Sequence, residues 1–283
     1  MNSRRHPDWL KVRLPAGENY NKIRFLLDEE RTHTVCQEAK CPNSAECWGR
    51  GTATFLILGD TCTRYCGYCN VKTGKPTCLD LEEPKRVARI VNKLGLRYAV
   101  ITSVTRDDLS FGGAGVFAEA INEIRKLSPD CKVEVLTPDF RFKQDSIKTI
   151  INAEPDVFAH NMEVVKNLFP TLRPGGNYDL SLNFLKKIKE LNPEQKTKSG
   201  IMVGFGEKKE DIADVMRDLR LAKCDIFTIG QYLQPTDNHH PIVRYYTPSE
   251  FKELEDFGYR LGFKFVKAGP LVRSSYYAEE GIK

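Results

Sequence analysis

From Thr54 onward the chain alternates six times between a short β-rich run and a helical pattern. The runs are 54–58 (TFLIL), 98–101 (YAVI), 132–136 (KVEVL), 156–159 (DVFA), 200–203 (GIMV) and 225–229 (DIFTI), with a last one at 264–267 (KFVK). Helical patterns follow at 84–94, 115–126, 143–152, 162–169 with 180–191, 209–222 and 248–261. Strands joined through helices lie parallel with right-handed crossovers. Six units are too few for a closed eight-stranded barrel, and they fit a doubly wound sheet or an open, partial barrel. The segments after the runs decide between these: 59–62 (GDTC), 102–108 (TSVTRDD), 137–139 (TPD), 160–163 (HNME), 204–207 (GFGE) and 231–235 (QYLQP) are all polar or rich in Gly and Pro. Six such loops on one rim describe a barrel mouth. The expected fold is therefore α/β, a partial (β/α)6 TIM-like barrel over 51–268, with an extension at 1–50 and a tail at 269–283. A chain of 283 residues suits one unit of that kind.

Nine cysteines are many, and seven of them fall between Cys36 and Cys78. The N-terminus is polar and lacks an apolar stretch, so no secretory signal is expected and metal or redox chemistry replaces a disulfide framework. Arg4, Arg5, Lys11 and Arg13 read as a solvated arm, because Pro7 and Asp8 spoil an amphipathic helix. No apolar run is long enough to span a bilayer. These features predict a cytoplasmic protein without a membrane partner. A net charge of +5 is too diffuse to argue for nucleic acid.

Cys62, Cys66 and Cys69 form a C-x3-C-x2-C run in the loop after the first strand. A loop this tight can point three thiolates at one centre. Zinc usually takes four ligands, so a structural zinc site would need a distant fourth. On a 4Fe–4S cluster three thiolates leave one iron open to a small molecule. The run resembles the radical S-adenosylmethionine superfamily. That resemblance implies a cluster whose open iron holds the methionine end of S-adenosylmethionine and whose electron generates a 5′-deoxyadenosyl radical. It also implies a cofactor site around Thr102, Ser103, Asp107 and Asp108, with Gly112 and Gly113 letting the backbone approach the ligand.

Cys36, Cys41 and Cys47 form a second triplet, C-x4-C-x5-C, in the extension. A second iron–sulfur cluster is the direct reading, with a small zinc site or unligated thiols as rivals. Several further segments accompany it. They are 41–43 (CPN), 46–48 (ECW), 51–55 (GTATF), 59–64 (GDTCTR), 106–109 (RDDL), 173–175 (RPG), 197–200 (TKSG), 230–236 (GQYLQPT) and 273–276 (RSSY). Together they closely resemble the lipoyl synthase family over nearly the whole chain.

The family resemblance implies two 4Fe–4S clusters, the second held by Cys36, Cys41, Cys47 and a tail serine, Ser275 or its neighbour Ser274. It implies radical insertion of two sulfur atoms at carbons six and eight of a protein-bound octanoyl-lysine, the second cluster being the sulfur donor. An alkoxide is a poor match for iron, which suits a cluster that must come apart. The substrate would be an octanoylated lipoyl carrier domain or a glycine-cleavage carrier protein. The electron donor would be of ferredoxin or flavodoxin type, and the enzyme a monomer. Asn161 and Glu163, with His160, would bind the ribose and methionine end of the cofactor. Arg173 and Lys198 at the rim would pair with its carboxylate, and Gln231 would close over the adenine or the acyl chain. Ordinary loop polarity, a helix cap at Asn161 and surface ion pairing are the rival readings of these residues. Cys78, Cys131 and Cys224 are expected to be non-ligands. Tyr277, His240 and Asn70 depart from the family pattern, none of them at a cluster ligand. A radical enzyme acting on a small molecule, or a non-catalytic iron–sulfur carrier, are the competing functions.

Overall fold

The computed structural model describes residues 6–11, 18–30, 32–38, 41 and 43–282. Arg4, Arg5, Arg13 and Pro42 lie outside the described residues. The sheet contains seven parallel strands: β1 (Thr52–Ile57), β2 (Tyr98–Ser103), β3 (Lys132–Leu136), β4 (Val157–Ala159), β5 (Thr197–Val203), β6 (Ile226–Gln231) and β7 (Phe265–Gly269). Each pairs with the next in chain order, and a two-residue strand, His33–Thr34, adds antiparallel to the outer edge of β1. Helices α1 (Glu83–Lys93), α2 (Ala114–Leu127), α3 (Gln144–Asn152), α4 (Tyr178–Leu191), α5 (Lys209–Leu221) and α6 (Pro248–Arg260) cover the outside. This is the expected series of six βα units and a last strand.

The pattern of buried residues explains the layers. On α2, Val116, Phe117, Ala120, Ile121 and Ile124 recur at helical spacing and are buried, which is the stripe a covering helix must present. Along β2, Ala99 and Ile101 meet the helices, whereas Tyr98 and Val100 point the other way, into the barrel interior. Every residue of β1 is buried because both of its faces are covered. Ile23 and Leu27 of the N-terminal helix Glu18–Glu29, with Trp48, join the same core. At the start of α6, Thr247 and Glu250 form a capping box behind Pro248. Among the described residues no helix is long and apolar enough to cross a membrane.

Two local expectations are corrected. The helix expected over 162–169 is absent. Glu163 instead extends the sheet: its N–H donates to the Gly200 carbonyl at 2.9 Å and its carbonyl accepts from the Met202 N–H at 2.8 Å. Only then do a turn at Lys166–Leu168 and a short helix, Phe169–Leu172, follow. β5 also starts at Thr197 rather than Gly200, which carries Lys198 into a strand.

The tail turns inward after β7. The Val272 carbonyl lies so close to Gly230 that a Cβ there would sit 2.0 Å from its oxygen. Ser274 and Ser275 then bond to Asn161 and Thr54. A last turn, Ala278–Ile282, packs on the inward faces of Tyr98 and Val100. The Ile282 carbonyl accepts from Lys196 Nζ at 2.9 Å. Tyr98 and Lys196 stand at strand starts, so the tail runs through the interior from the mouth to the opposite end.

Candidate active site

The loop after β1 carries the first triplet, and four anchors shape it. Thr61–Cys62 pairs with Lys72–Thr73, closing the loop on itself. The Gly67 N–H donates to Leu172 at 2.8 Å, and the Gly67 carbonyl accepts from the His240 N–H at 2.9 Å. His239 Nε2 lies 3.0 Å from the Cys69 carbonyl. Arg64, between two of the cysteines, forms paired hydrogen bonds of 2.7 to 2.9 Å with both Asp107 and Asp139. These fork-shaped pairs tie the loop to the ends of β2 and β3. Burial would raise the Asp139 carboxyl, but Arg64 outweighs it and holds the group at about 2.

The thiols are crowded. Burial, then the charges of Cys66 and Cys62, push Cys69 up to about 12. Burial raises Cys66 as well. In the second triplet burial, followed by the charge of Cys41, takes Cys36 to about 12, and Cys47 is raised by burial and by the other two thiols. All nine cysteines are free of disulfides. Among the described residues no three His, Cys, Asp or Glu side chains converge on a single-ion site. Mutually repelling sulfur donors fit a centre that brings its own positive charge, and thiolates suit iron.

Cys36 lies in the turn Val35–Glu38, and Cys47 in the helix Ser44–Gly49. The Cys41 N–H donates to the Cys36 carbonyl at 3.1 Å, folding the segment back on itself. The Cys36 thiol faces the backbone N–H of Thr54, and Thr54 Oγ1 donates to Ser275 Oγ at 2.8 Å. Tyr276 and Tyr277 both donate to Glu46, at 3.0 and 2.7 Å, and Arg50 pairs with Glu279. The tail is thereby strapped to the helix that carries Cys47.

Asn161, Glu163 and Arg173 meet at the end of β4. Arg173 donates to the carbonyls of Asn161 and Met162 at 2.7 and 3.3 Å. Glu163 takes a left-handed φ of 69°, and burial raises its carboxyl against the opposing charge of Arg173. Both charges reach the Cys66 thiol. Asn161 Nδ2 donates to Ser274 Oγ at 3.1 Å, while its Oδ1 is buried without a partner. Ser103 Oγ is likewise buried and unpartnered, and Thr102 donates to the Leu136 carbonyl at 2.8 Å. Adjacent serines thus face opposite ways: Ser274 toward the first triplet's neighbours, Ser275 toward the strand beside Cys36.

Other expected contacts are corrected. Lys198 is not at the rim. It is buried low in the interior, with Nζ 2.9 Å from both oxygens of Glu134, which also accepts from Tyr98. Gln231 is consumed by backbone: it donates to the carbonyls of Tyr232 and Arg244 and accepts from the Tyr246 N–H. Asp107 pairs with Arg64 and Arg141, and Asp108, exposed, pairs with Arg106. Gly112 and Gly113 abut Phe140 and Leu58, so packing and a left-handed φ demand glycine there. His160 uses both ring nitrogens internally. The Thr137 carbonyl can only accept, so Nδ1 carries the proton and Nε2 accepts from Ser181. Sequence reasoning missed Thr54 and Asp139 as organisers; the sole signal was their place, Thr54 inside the first strand and Asp139 in the loop after the third.

Comparison with known proteins gives the same reading. Residues 56–219 match the radical SAM superfamily, and residues 1–41 match the N-terminal domain of lipoyl synthase of that family. The lipoyl synthase of Rubrobacter xylanophilus is 57% identical over 97% of this chain and 85% of its own length. That of Shouchella clausii is 50% identical over 98% of this chain and 90% of its own. Among solved structures, Streptococcus suis SuiB bound to S-adenosylmethionine superposes with a TM-score of 0.61 at 14% identity. The match covers 80% of this chain and about half, 54%, of that longer one, and shows a shared fold. With one cysteine triplet at the mouth of an open (β/α)6 barrel, a second beside its first strand, and near-full-length relatives of this similarity, the chain belongs to the lipoyl synthase family of the radical SAM superfamily.

Proposed function

We propose that this chain inserts two sulfur atoms at carbons six and eight of an octanoyl chain carried on a lysine of a lipoyl domain or glycine-cleavage carrier protein. Membership of the superfamily implies a 4Fe–4S cluster and S-adenosylmethionine; the second cluster belongs to the proposal. The observation that carries it is the serine pair between the triplets, Ser274 on Asn161 and Ser275 on Thr54.

In this reading Cys62, Cys66 and Cys69 hold the first cluster, and Cys36, Cys41, Cys47 and Ser275 hold the second. When bound, these groups supply radical hydrogen abstraction and sulfide, chemistry that an unactivated C–H bond requires because it offers a base no acidity. The protein's own part is placement. Arg64 fixes the first loop against two carboxylates. Asn161, Ser103 and Glu163 offer polar atoms to the cofactor, and Arg173 holds the backbone that presents them. Thr54 orients the serine hydroxyl. Extension 1–50 and tail 269–283 act together as the holder of the second cluster, and the barrel 51–268 as the radical source. A low-potential electron donor of ferredoxin or flavodoxin type, a monomeric state and a cytoplasmic location complete the proposal.

Anaerobic reconstitution should give about eight irons with matching sulfide, as two 4Fe–4S clusters require. Incubation with an octanoylated carrier-domain peptide, S-adenosylmethionine and reductant should give 5′-deoxyadenosine and a peptide heavier by two sulfurs. Full clusters with neither product would refute the assignment.

A further inference from the structure

Arg273 stands between the close contact at Val272 and the serine pair. Among the described residues it has no carboxylate partner, unlike Arg50, Arg64, Arg106 and Arg244. Its Nη1 donates to the carbonyl of its own neighbour Val272 at 2.7 Å, and the ionisable group in its field is the Cys41 thiol.

The backbone around it is fixed on both sides. A Cβ on Gly230 would sit 2.0 Å from the Val272 oxygen and 3.2 Å from Arg273 Nη1, so the tail is seated hard against β6. Asn43 Nδ2 donates to the Leu271 carbonyl. Beyond Arg273, the two serines and two tyrosines bond to Asn161, Thr54 and Glu46. Three of these partners (Asn43, Glu46 and Thr54) flank the second triplet in sequence or space. A guanidinium half-buried there without an anion is costly, because its charge loses part of its water and gains only a carbonyl in exchange. Three thiolates and an alkoxide around an iron–sulfur core leave a net negative assembly, which would be that partner.

We propose that Arg273 is the counter-charge of the second triplet, a positioning residue whose cation retains the iron–sulfur assembly on Cys36, Cys41 and Cys47 and raises its reduction potential. This rests on the reading that the second triplet holds a cluster. It adds a reason why an assembly with one weak oxygen ligand stays in place until it is used.

The test uses the full chain with Cys62→Ala, Cys66→Ala and Cys69→Ala, so that the second triplet alone is loaded anaerobically. The parent, Arg273→Gln and Arg273→Lys are compared by rate of iron release to a chelator and by redox titration. We expect Arg273→Gln to release iron roughly 10-fold faster or more, as loss of an outer-shell partner does, and to titrate at a more negative potential. Arg273→Lys should stay near the parent in both. Parent-like behaviour of Arg273→Gln in either measurement would overturn the inference alone, as would Arg273→Lys as impaired as Arg273→Gln. A parent that binds no iron and sulfide would overturn the cluster assignment and the inference with it.

Discussion

Burial takes His160 out of cofactor chemistry and turns it into a source of pH-dependent stability. Loss of water, reinforced by the charge of Arg173, lowers its pKa from 6.5 to about 4. The folded value lies below the unfolded one, so its contribution is complete above about pH 6.5 and is lost as the pH falls toward 4. A shift of that size corresponds to about 3 kcal/mol. We expect the unfolding free energy of the metal-free chain to fall over that window, and the fall to be about 3 kcal/mol smaller in His160→Gln; parallel profiles would sink the idea. Arg64 contributes through an ion pair instead, since its removal strands the buried Asp139 carboxylate and leaves half-buried Asp107 to Arg141 alone. Arg64→Ala should cost roughly 3 kcal/mol or more, read as a lower denaturant midpoint, and should loosen iron on the first triplet. The cysteines were legible because three thiols at such spacing have few other uses. Lys198 and Gln231 were not, because a polar side chain's role depends on what faces it, and Glu134 lies 64 positions from Lys198.

At the scale of elements, hydrophobic periodicity located the seven parallel strands and the six helices that cover them, because those depend on local pattern and one buried stripe; it did not show the two-residue strands His33–Thr34, Thr61–Cys62 and Lys72–Thr73. The exceptions are the places where tertiary pairing overrides local pattern. The stretch 162–169 reads as helical, yet Glu163 pairs with β5 instead. β5 itself buries Thr197, Lys198 and Ser199, polar residues that mask a strand in the sequence. Two substitutions separate structural from ligand roles here. Lys198→Ala should cost roughly 3–5 kcal/mol, as breaking a buried ion pair does, yet leave S-adenosylmethionine affinity unchanged, measured by calorimetry; a large loss of affinity would restore Lys198 to the mouth. Gly113 starts α2 at φ 85°, and a Cβ there would stand 2.3 Å from Leu58 Cδ1. Gly113→Ala should therefore lower stability by about 2–4 kcal/mol through backbone strain and overpacking together.

Across the whole molecule, the two ends of the chain make one site. Thr54 and Ser275 are 221 positions apart and share a hydrogen bond, and the tail fills an interior that seven strands leave open. Cutting the chain after Gly269 tests that arrangement. The truncation leaves the sheet, its helices and the Arg64 clamp intact, so the first triplet should still load and still bind S-adenosylmethionine. It removes Ser275 and the tyrosines that hold Glu46, so the second triplet should lose its iron, and the count should fall from about eight to about four. It also uncovers Tyr98 and Val100 on the inner face and wets the Lys198–Glu134 pair, so thermal unfolding should move to lower temperature. Iron counting with spectroscopy of each cluster, on the purified truncated chain, decides the matter. If about eight irons remain, the tail is not part of the second site. If both clusters are lost while the fold persists, the tail supports the mouth as a whole, and the division into a barrel that makes radicals and a clasp that holds sulfur is wrong.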